Sequence, residues 1–453
     1  MHLSRPIGID LFAGAGGLSL GFEQAGFDVV AAVEIDPIHC AVHQFNFPNC
    51  TVMARSVADL TGDEIRRAAG IGRKRIDVVF GGPPCQGFSM IGQRALDDPR
   101  NGLVKHFLRL VSELKPTHFV FENVKGLTIG RHRRFLDELI ESFIEIGYHI
   151  SFPWQVLDAA RYGVPQHRER LILFGARKGA QVPEYPAALC RPADRNEKGL
   201  LRRGPTCKEA LDDLPDAEEF DALVKSDEIM VGKWKRLSNY AKDLHCSSLA
   251  GWHFGYRRKW NPFLLTSSLR TDHTAISRRR FEETEPGQIE PISRFYRLPA
   301  DGLCNTLRAG TDSARGAFTS PRPIHYALPR CITVREMARL HGFPDWFRFH
   351  PTKWHGARQI GNAVPPPLGR AIASQILRGM GYAPSIGDQE LAMGDAHLLE
   401  LDMSGAAEYF GIVVPIARRD RKSGARKRKQ FEIEGGRAIK SPLFDSLVLD
   451  SPI

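Results

Sequence analysis

Between residues 7 and 175 short apolar runs alternate with amphipathic stretches of helix length. Ile7-Gly8-Ile9-Asp10-Leu11-Phe12 has the character of a strand and runs into a glycine-rich turn, after which a helix is expected through Phe22 to Ala25. Val29–Val33, Asp77–Phe80, His118–Phe121 and Leu171–Gly175 read as further strands. Strands spaced by helices in this way imply βαβ units, hence an α/β fold with a doubly wound, Rossmann-like parallel sheet. Such sheets bind ligands beyond the carboxyl ends of their strands, and the least ordinary residues of this chain fall at those ends.

From about 180 to 330 the periodicity weakens, while prolines, arginines and aromatics become frequent. Arg202-Arg203, Arg257-Arg258-Lys259-Trp260 and Arg278-Arg279-Arg280-Phe281 mix cations with rings, a composition suited to phosphate and base contacts. This stretch is expected to form a second, smaller, irregular domain over residues 181–330, after a first part at 1–180. Helical patterning returns in 331–380. Thr333 is placed to cap a helix through Leu340, and another helix is expected from about Pro367 to Leu377. Residues 381–453 form an extension of weak periodicity and no specified role, and no internal repeat is visible.

Composition narrows the class. A chain of 453 residues, 42% hydrophobic and 25% charged, matches a globular protein of two or three domains. No apolar run reaches the roughly 20 residues needed to span a bilayer, and the start of the chain has no signal-peptide pattern, so a cytoplasmic protein is expected. Eight cysteines occur without a C-x-x-C pair, which argues against structural zinc and a disulfide framework. The net charge of +10 favours a polyanionic partner, although residues 418–429 alone contribute eight basic side chains and one acid. That run reads equally as a solvated tail or as a phosphate-binding extension.

Four elements carry candidate chemistry. Asp10-Leu11-Phe12-Ala13-Gly14-Ala15-Gly16-Gly17 is a strand entering a glycine turn, which lets a ligand approach backbone at a helix N-terminus. A nicotinamide dinucleotide site would begin similarly. Glu34, at the end of the next strand, suits a ribose diol. Gly81-Gly82-Pro83-Pro84-Cys85-Gln86 stiffens the exit of the strand 77–80 and presents Cys85 as a candidate nucleophile. Glu122-Asn123-Val124, after the strand 118–121, supplies a carboxyl group, and Gln166-His167-Arg168-Glu169-Arg170, before the strand 171–174, supplies two arginines.

Taken in order, these blocks resemble the DNA (cytosine-5) methyltransferase family of the bacterial restriction–modification type. The resemblance extends to Glu34-Ile35-Asp36, Asp59-Leu60, Arg339-Leu340-His341-Gly342-Phe343-Pro344 and Gln359-Ile360-Gly361-Asn362-Ala363-Val364-Pro365-Pro366. It covers residues 7–175 and 333–375, about half of the chain.

The resemblance implies an S-adenosylmethionine-dependent methyltransferase domain with a target-recognition domain over 181–330, and a segment 331–380 that folds back onto the first part. The implied reaction is methyl transfer from S-adenosylmethionine to C5 of a cytosine flipped out of a specific double-stranded DNA sequence, with no metal. Cys85 would add to C6, Glu122 would bind the N3 and N4 edge, and Arg168 and Arg170 would hold O2 and the local backbone. Phe12, Ala13, Gly14, Gly16, Gly17, Glu34, Asp59, Asn362 and Val364 would form the cofactor site. Ser89, Arg94 and Arg100, on a loop closing over DNA, together with Gln166 and Thr306, would contact DNA. The family pattern further implies a monomer protecting host DNA, with a cognate restriction endonuclease acting on the same site but not held in a stable complex. The alternatives are a tRNA cytosine-5 methyltransferase, an inactive binding paralogue and a nicotinamide-dependent oxidoreductase.

Overall fold

A computed structural model describes residues 5–84, 101–130, 132–310, 322–386 and 389–414. The first part alternates strands and helices in chain order: β1 (Ile7–Leu11), α1 (Gly17–Ala25), β2 (Asp28–Glu34), α2 (Pro37–Asn46), β3 (Thr51–Ala54), α3 (Gly62–Ala68), β4 (Val78–Gly81), α4 (Gly102–Leu114), β5 (His118–Val124), α5 (His132–Glu145), β6 (Tyr148–Ile150), β7 (Gln155–Asp158) and β8 (Glu169–Arg177). The sheet runs β3-β2-β1-β4-β5-β8-β6, with β7 also paired to β8.

Strands β1 to β5 are parallel. The strand expected at 171–175 departs from that rule, because β8 runs antiparallel to β5. It is entered by a hairpin from β7 rather than by a helical crossover, so its direction must reverse. The reversal brings the start of β8 to the end of the sheet where β1 to β5 finish, since Arg170 pairs with Val124.

The continuous apolar runs follow from burial on both faces. Along β5, Phe119 and Phe121 pack towards α4 and α5 with Phe107, Leu110, Leu139 and Phe143, while Val120 faces the opposite layer. That layer contains α1 and α11 (Pro366–Gly379), joined through Phe22, Leu368, Ile372 and Ile376. A Cβ at Gly21 would lie 2.7 Å from Arg370 N, so glycine there permits the two helix backbones to touch. The segment after Pro365 therefore returns to cover the first helix of the chain.

Residues 181–330 contain α6 (Cys207–Leu211), α7 (Asn239–Leu244) and α8 (Ala275–Glu283), with the short strands β9 (Ile229–Met230), β10 (Arg257–Lys259) and β11 (Leu264–Leu265). α9 (Val334–His341) starts at Thr333 in a capping box with Glu336 and ends at Gly342, whose φ is 81°. α10 (Lys353–Asn362) leads into α11.

Several arginines of this part are internal struts. Arg339 is fully buried and forms paired bonds to Asp213 and Asp345, and Arg330 binds Glu336 and Asp216. Arg258 is 2% exposed and reaches Glu23, and Arg278 grips Glu218 with both terminal nitrogens. These two contacts correct the expectation that the basic-aromatic clusters face nucleic acid throughout: the buried Arg258 guanidinium needs its acidic partner, and the partly exposed Arg278 is taken up by a two-nitrogen ion pair with Glu218.

The chain after α11 adds β12 (Glu390–Ala392), α12 (His397–Glu400) and α13 (Met403–Tyr409), all packed against the first part or β10. The basic run 418–429 lies outside the described residues. No helix among the described residues is long and apolar enough to cross a membrane.

Candidate active site

The turn after β1 is built from left-handed backbone: φ is 64° at Phe12, 55° at Gly14 and 104° at Gly16. It brings the Gly14 amide to Glu34 Oε2 at 2.9 Å, while the Ile35 and Asp36 amides donate to Oε1 at 2.9 Å each. Three amides thus fix the carboxylate at the end of β2, leaving lone pairs for hydroxyl donors. A cleft of about 700 Å³ opens over this turn, lined by Phe12, Ala13, Gly14, Gly17, Glu34, Asn362 and Val364. A Cβ at Gly17 would lie 2.5 Å from Val364 O, so the returning segment could not seat against a larger residue.

Two expected cofactor residues lie elsewhere. Gly16 is not part of the lining; it caps α1, and a Cβ there would meet the Phe47 ring at 2.4 Å. Asp59 is exposed one turn beyond the cleft, at the end of a 3-10 turn whose start supplies Ser56 and Val57 to the wall. The 3-10 turn carries Asp59 outward while Ser56 and Val57 face the cleft.

Asp10, Arg55, Arg358, Gln359 and Met403 also line the cleft and were missed. Asp10 is buried near the end of β1; Ser19 donates to its Oδ2 at 2.7 Å, and its Oδ1 has no partner among the described residues. Burial, with Glu34's charge nearby, raises its carboxyl pKa to about 8. An unpartnered acceptor in the cleft beside an amide-held Glu34 suits a ligand with hydrogen-bond donors.

The same cavity reaches Gly82, Pro84 and Glu122. Arg170 Nε lies 2.7 Å from Glu122 Oε1, with both side chains nearly buried. A Cβ at Gly82 would fall 2.3 Å from Glu122 Oε2, so only glycine leaves the carboxylate its place. Asn123 Nδ2 donates to Pro83 O at 3.0 Å and secures the Pro83-Pro84 turn that precedes Cys85. Cys85 itself, with Ser89, Arg94 and Arg100, lies outside the described residues.

Arg168 and Gln166 point away from the cleft. Arg168 is 2% exposed and donates to Leu307 O at 2.9 Å and Gly361 O at 2.8 Å. Gln166 is fully buried, donating to Leu340 O at 3.2 Å and accepting from Leu307 N at 3.0 Å. Strand alternation would put Arg168 and Arg170 on one face, but only Arg170 lies within β8, where it meets the cleft residue Glu122, and Gln166 and Arg168, before the strand, turn into the junction with 304–310. The expectations that Arg168 touches a base and Gln166 touches DNA are therefore corrected to roles in holding the two parts of the chain together. Thr306 is exposed, and its hydroxyl donates to His167 O at 2.7 Å. At the same junction a Cβ on Gly361 would meet Ala309 N at 2.4 Å, and His341 bonds Ala363 O at 3.0 Å. No group of His, Cys, Asp and Glu among the described residues is arranged to hold a metal.

The family model for C-5 cytosine-specific DNA methylases matches residues 8–378. The Type II methyltransferase M.XorII of Xanthomonas oryzae pv. oryzae is 58% identical over 420 residues, covering 92% of this chain and 96% of that one. M1.HphI of Haemophilus parahaemolyticus, another Type II methyltransferase, is 33% identical over 375 residues, with 82% and 86% covered. Among solved structures, an E. coli prophage protein described as a DNA modification methyltransferase superposes with a TM-score of 0.64 at 33% identity, covering 83% of this chain and 99% of that chain.

Proposed function

The chain belongs to the C-5 cytosine-specific DNA methylase family, and from that premise we propose how its cleft performs methyl transfer to cytosine in DNA. The observation that carries the proposal is the single cavity joining Glu34 and the glycine turn to Gly82 and Glu122. A cofactor at one end and a base at the other would meet inside it.

S-adenosylmethionine, when bound, supplies an electrophilic methyl group on a cationic sulfur. Phe12, Ala13, Gly14 and Gly17 would cradle it, Glu34 would accept from the ribose hydroxyls, Asn362 and Val364 would close the wall, and Asp10 Oδ1 would accept a hydrogen bond from it. Cys85, carried on the turn that Asn123 secures, would add as thiolate to C6 of the flipped-out cytosine. The electron pair would move to C5, which would take the methyl group as its bond to sulfur breaks and S-adenosylhomocysteine is left. Glu122 would hydrogen-bond the N3 and N4 edge, so charge developing on the ring is neutralised where it forms. Arg170 keeps Glu122 in position and would hold the base O2. Loss of the C5 proton to a solvent base, with expulsion of the Cys85 thiolate, restores the aromatic ring.

Residues 181–330, completed at the junction by Thr306, would read the DNA sequence, with Ser89, Arg94 and Arg100 contacting DNA at the base. Residues 1–180 and 331–380 would form the catalytic unit. The Type II relatives support a restriction–modification setting; in it this enzyme would act as a monomer in the bacterial cytoplasm, protecting host DNA from a cognate endonuclease without a stable complex.

Duplex DNA carrying 5-fluorocytosine at target cytosines tests the chemistry, because fluorine cannot leave C5 as the proton does. A covalent adduct mapped to Cys85 by mass spectrometry, forming only with S-adenosylmethionine, is expected. An adduct at another cysteine, or none on DNA that the enzyme methylates in its normal form, would overturn this assignment.

A further inference from the structure

The residues after α11 lie outside the family match, which ends at 378, yet they return to the catalytic unit. β12 pairs in parallel with β10, with Arg257 opposite Glu390 and Lys259 opposite Ala392. Gly394 N then donates to Phe45 O at 2.9 Å, and a Cβ at Gly394 would lie 2.8 Å from Phe45 Cα. Glycine is what allows the chain to lie directly on α2. Beyond it, Leu398, Leu399, Leu401 and Ala406 bury against Ile38, Ala41, Val42 and Phe45. Leu401 O bonds His350 Nε2 at 3.3 Å, which ties this segment to the loop before α10. Asp402 caps α13 through Gly405 N at 2.8 Å.

These contacts fix the first residue of α13. Met403 is partly buried against the α2 cluster and also lines the cleft, alongside Asp36, His39 and Arg358. Ala15, in the turn that bounds the cleft, belongs to the same apolar cluster. We propose that residues 389–414 are an added wall of the cofactor cleft, in which Met403 supplies an apolar, polarizable contact to the bound adenosyl sulfonium cofactor. The proposal rests on the reading of this cleft as the S-adenosylmethionine site. A thioether at this position fills an irregular gap without presenting charge to the cationic ligand. The extension thus contributes to cofactor affinity as well as to the fold.

Titration calorimetry of S-adenosylhomocysteine into the full chain tests this, with Met403→Ala, Met403→Leu, Phe410→Ala and Glu34→Gln compared. Phe410 packs in the same cluster but does not line the cleft. Loss of one partly buried apolar contact predicts affinity about five- to tenfold weaker for Met403→Ala. Met403→Leu, which keeps the apolar volume, and Phe410→Ala are expected to stay within about twofold of the parent. Unchanged affinity in Met403→Ala, while Glu34→Gln weakens binding, overturns the proposal and leaves the cofactor site standing. Equal weakening by Met403→Ala and Phe410→Ala also overturns it, because the effect would then come from packing of the extension. If the parent binds and none of the variants weakens binding, the reading of the cleft falls and this proposal with it. Melting curves without ligand accompany each titration; if Met403→Ala fails to fold, Met403→Gln, which keeps the length but replaces the apolar thioether with an amide, is expected to weaken binding in its place, and parent-like affinity in it overturns the proposal.

Discussion

Gly82→Ala is expected to disable catalysis while sparing cofactor binding. The added methyl would stand 2.3 Å from Glu122 Oε2 and 3.4 Å from its carboxyl carbon. An ordinary contact between these atom types is longer by about 1 Å, so either the carboxylate or the strand exit must move by that amount. Glu122 has little freedom to comply, since Oε1 is held by Arg170 Nε at 2.7 Å and the side chain is nearly buried. Displacing a catalytic group by about 1 Å costs on the order of 10²-fold in rate, equivalent to about 2.7 kcal/mol in the barrier. Glu34 and its three amides are untouched, so S-adenosylhomocysteine affinity should change by less than about threefold. Single-turnover transfer of labelled methyl to DNA, beside calorimetry with S-adenosylhomocysteine, separates these effects. A Gly82→Ala rate within about threefold of the parent would refute the reasoning, because the observed Glu122 position would then not be the one catalysis uses.

Three further outcomes follow from the buried polar contacts. Arg168→Met should destabilise the fold by about 2–4 kcal/mol, by leaving the Leu307 and Gly361 carbonyls without donors; an unchanged denaturation midpoint would contradict that role. Arg339→Met leaves Asp213 and Asp345 buried without their cation and should cost about 3–5 kcal/mol in urea unfolding, and a loss below about 1 kcal/mol would show the pair to be idle. His167 lies between Asp158 at 2.7 Å and Asp194 at 2.9 Å, and these carboxylates raise its pKa above the ordinary 6.5. The folded form then holds the proton more tightly than the unfolded chain, so this stabilisation is full below about pH 6.5 and fades as pH rises through the raised value. The stability difference between the parent and His167→Gln should therefore shrink from pH 6 to pH 9, and a difference that grows over that range contradicts the sign.

Much of this was legible in the chain because the strands of a parallel sheet are continuous apolar runs and their ends are marked by unusual residues. Phe12, Glu34 and Glu122 stood out on those grounds, and the Thr333 cap and the helix after Pro365 were readable from local rules. The direction of β8 was not, since an apolar run of that length reads the same in either direction. Arg168 and Arg170 share one sequence block, yet one is an internal strut and the other holds Glu122; they separate because the chain turns just before β8 begins. Gln166 illustrates the same limit, as a buried amide and a surface amide have identical sequence signatures. Ser56 and Asp59 differ by one 3-10 turn, a shift that residue spacing cannot resolve. Met403 carried no local signal, because its place in the cleft comes from contacts with α2, more than 350 residues earlier in the chain.

The most direct test of the central claim is transfer of labelled methyl from S-adenosylmethionine to unmethylated duplex DNA, with total tRNA as a parallel substrate and Cys85→Ala as a control. The account predicts label in DNA as 5-methylcytosine, none in tRNA, and loss of transfer in the Cys85→Ala enzyme. Label confined to tRNA, or undiminished transfer by Cys85→Ala, would contradict it.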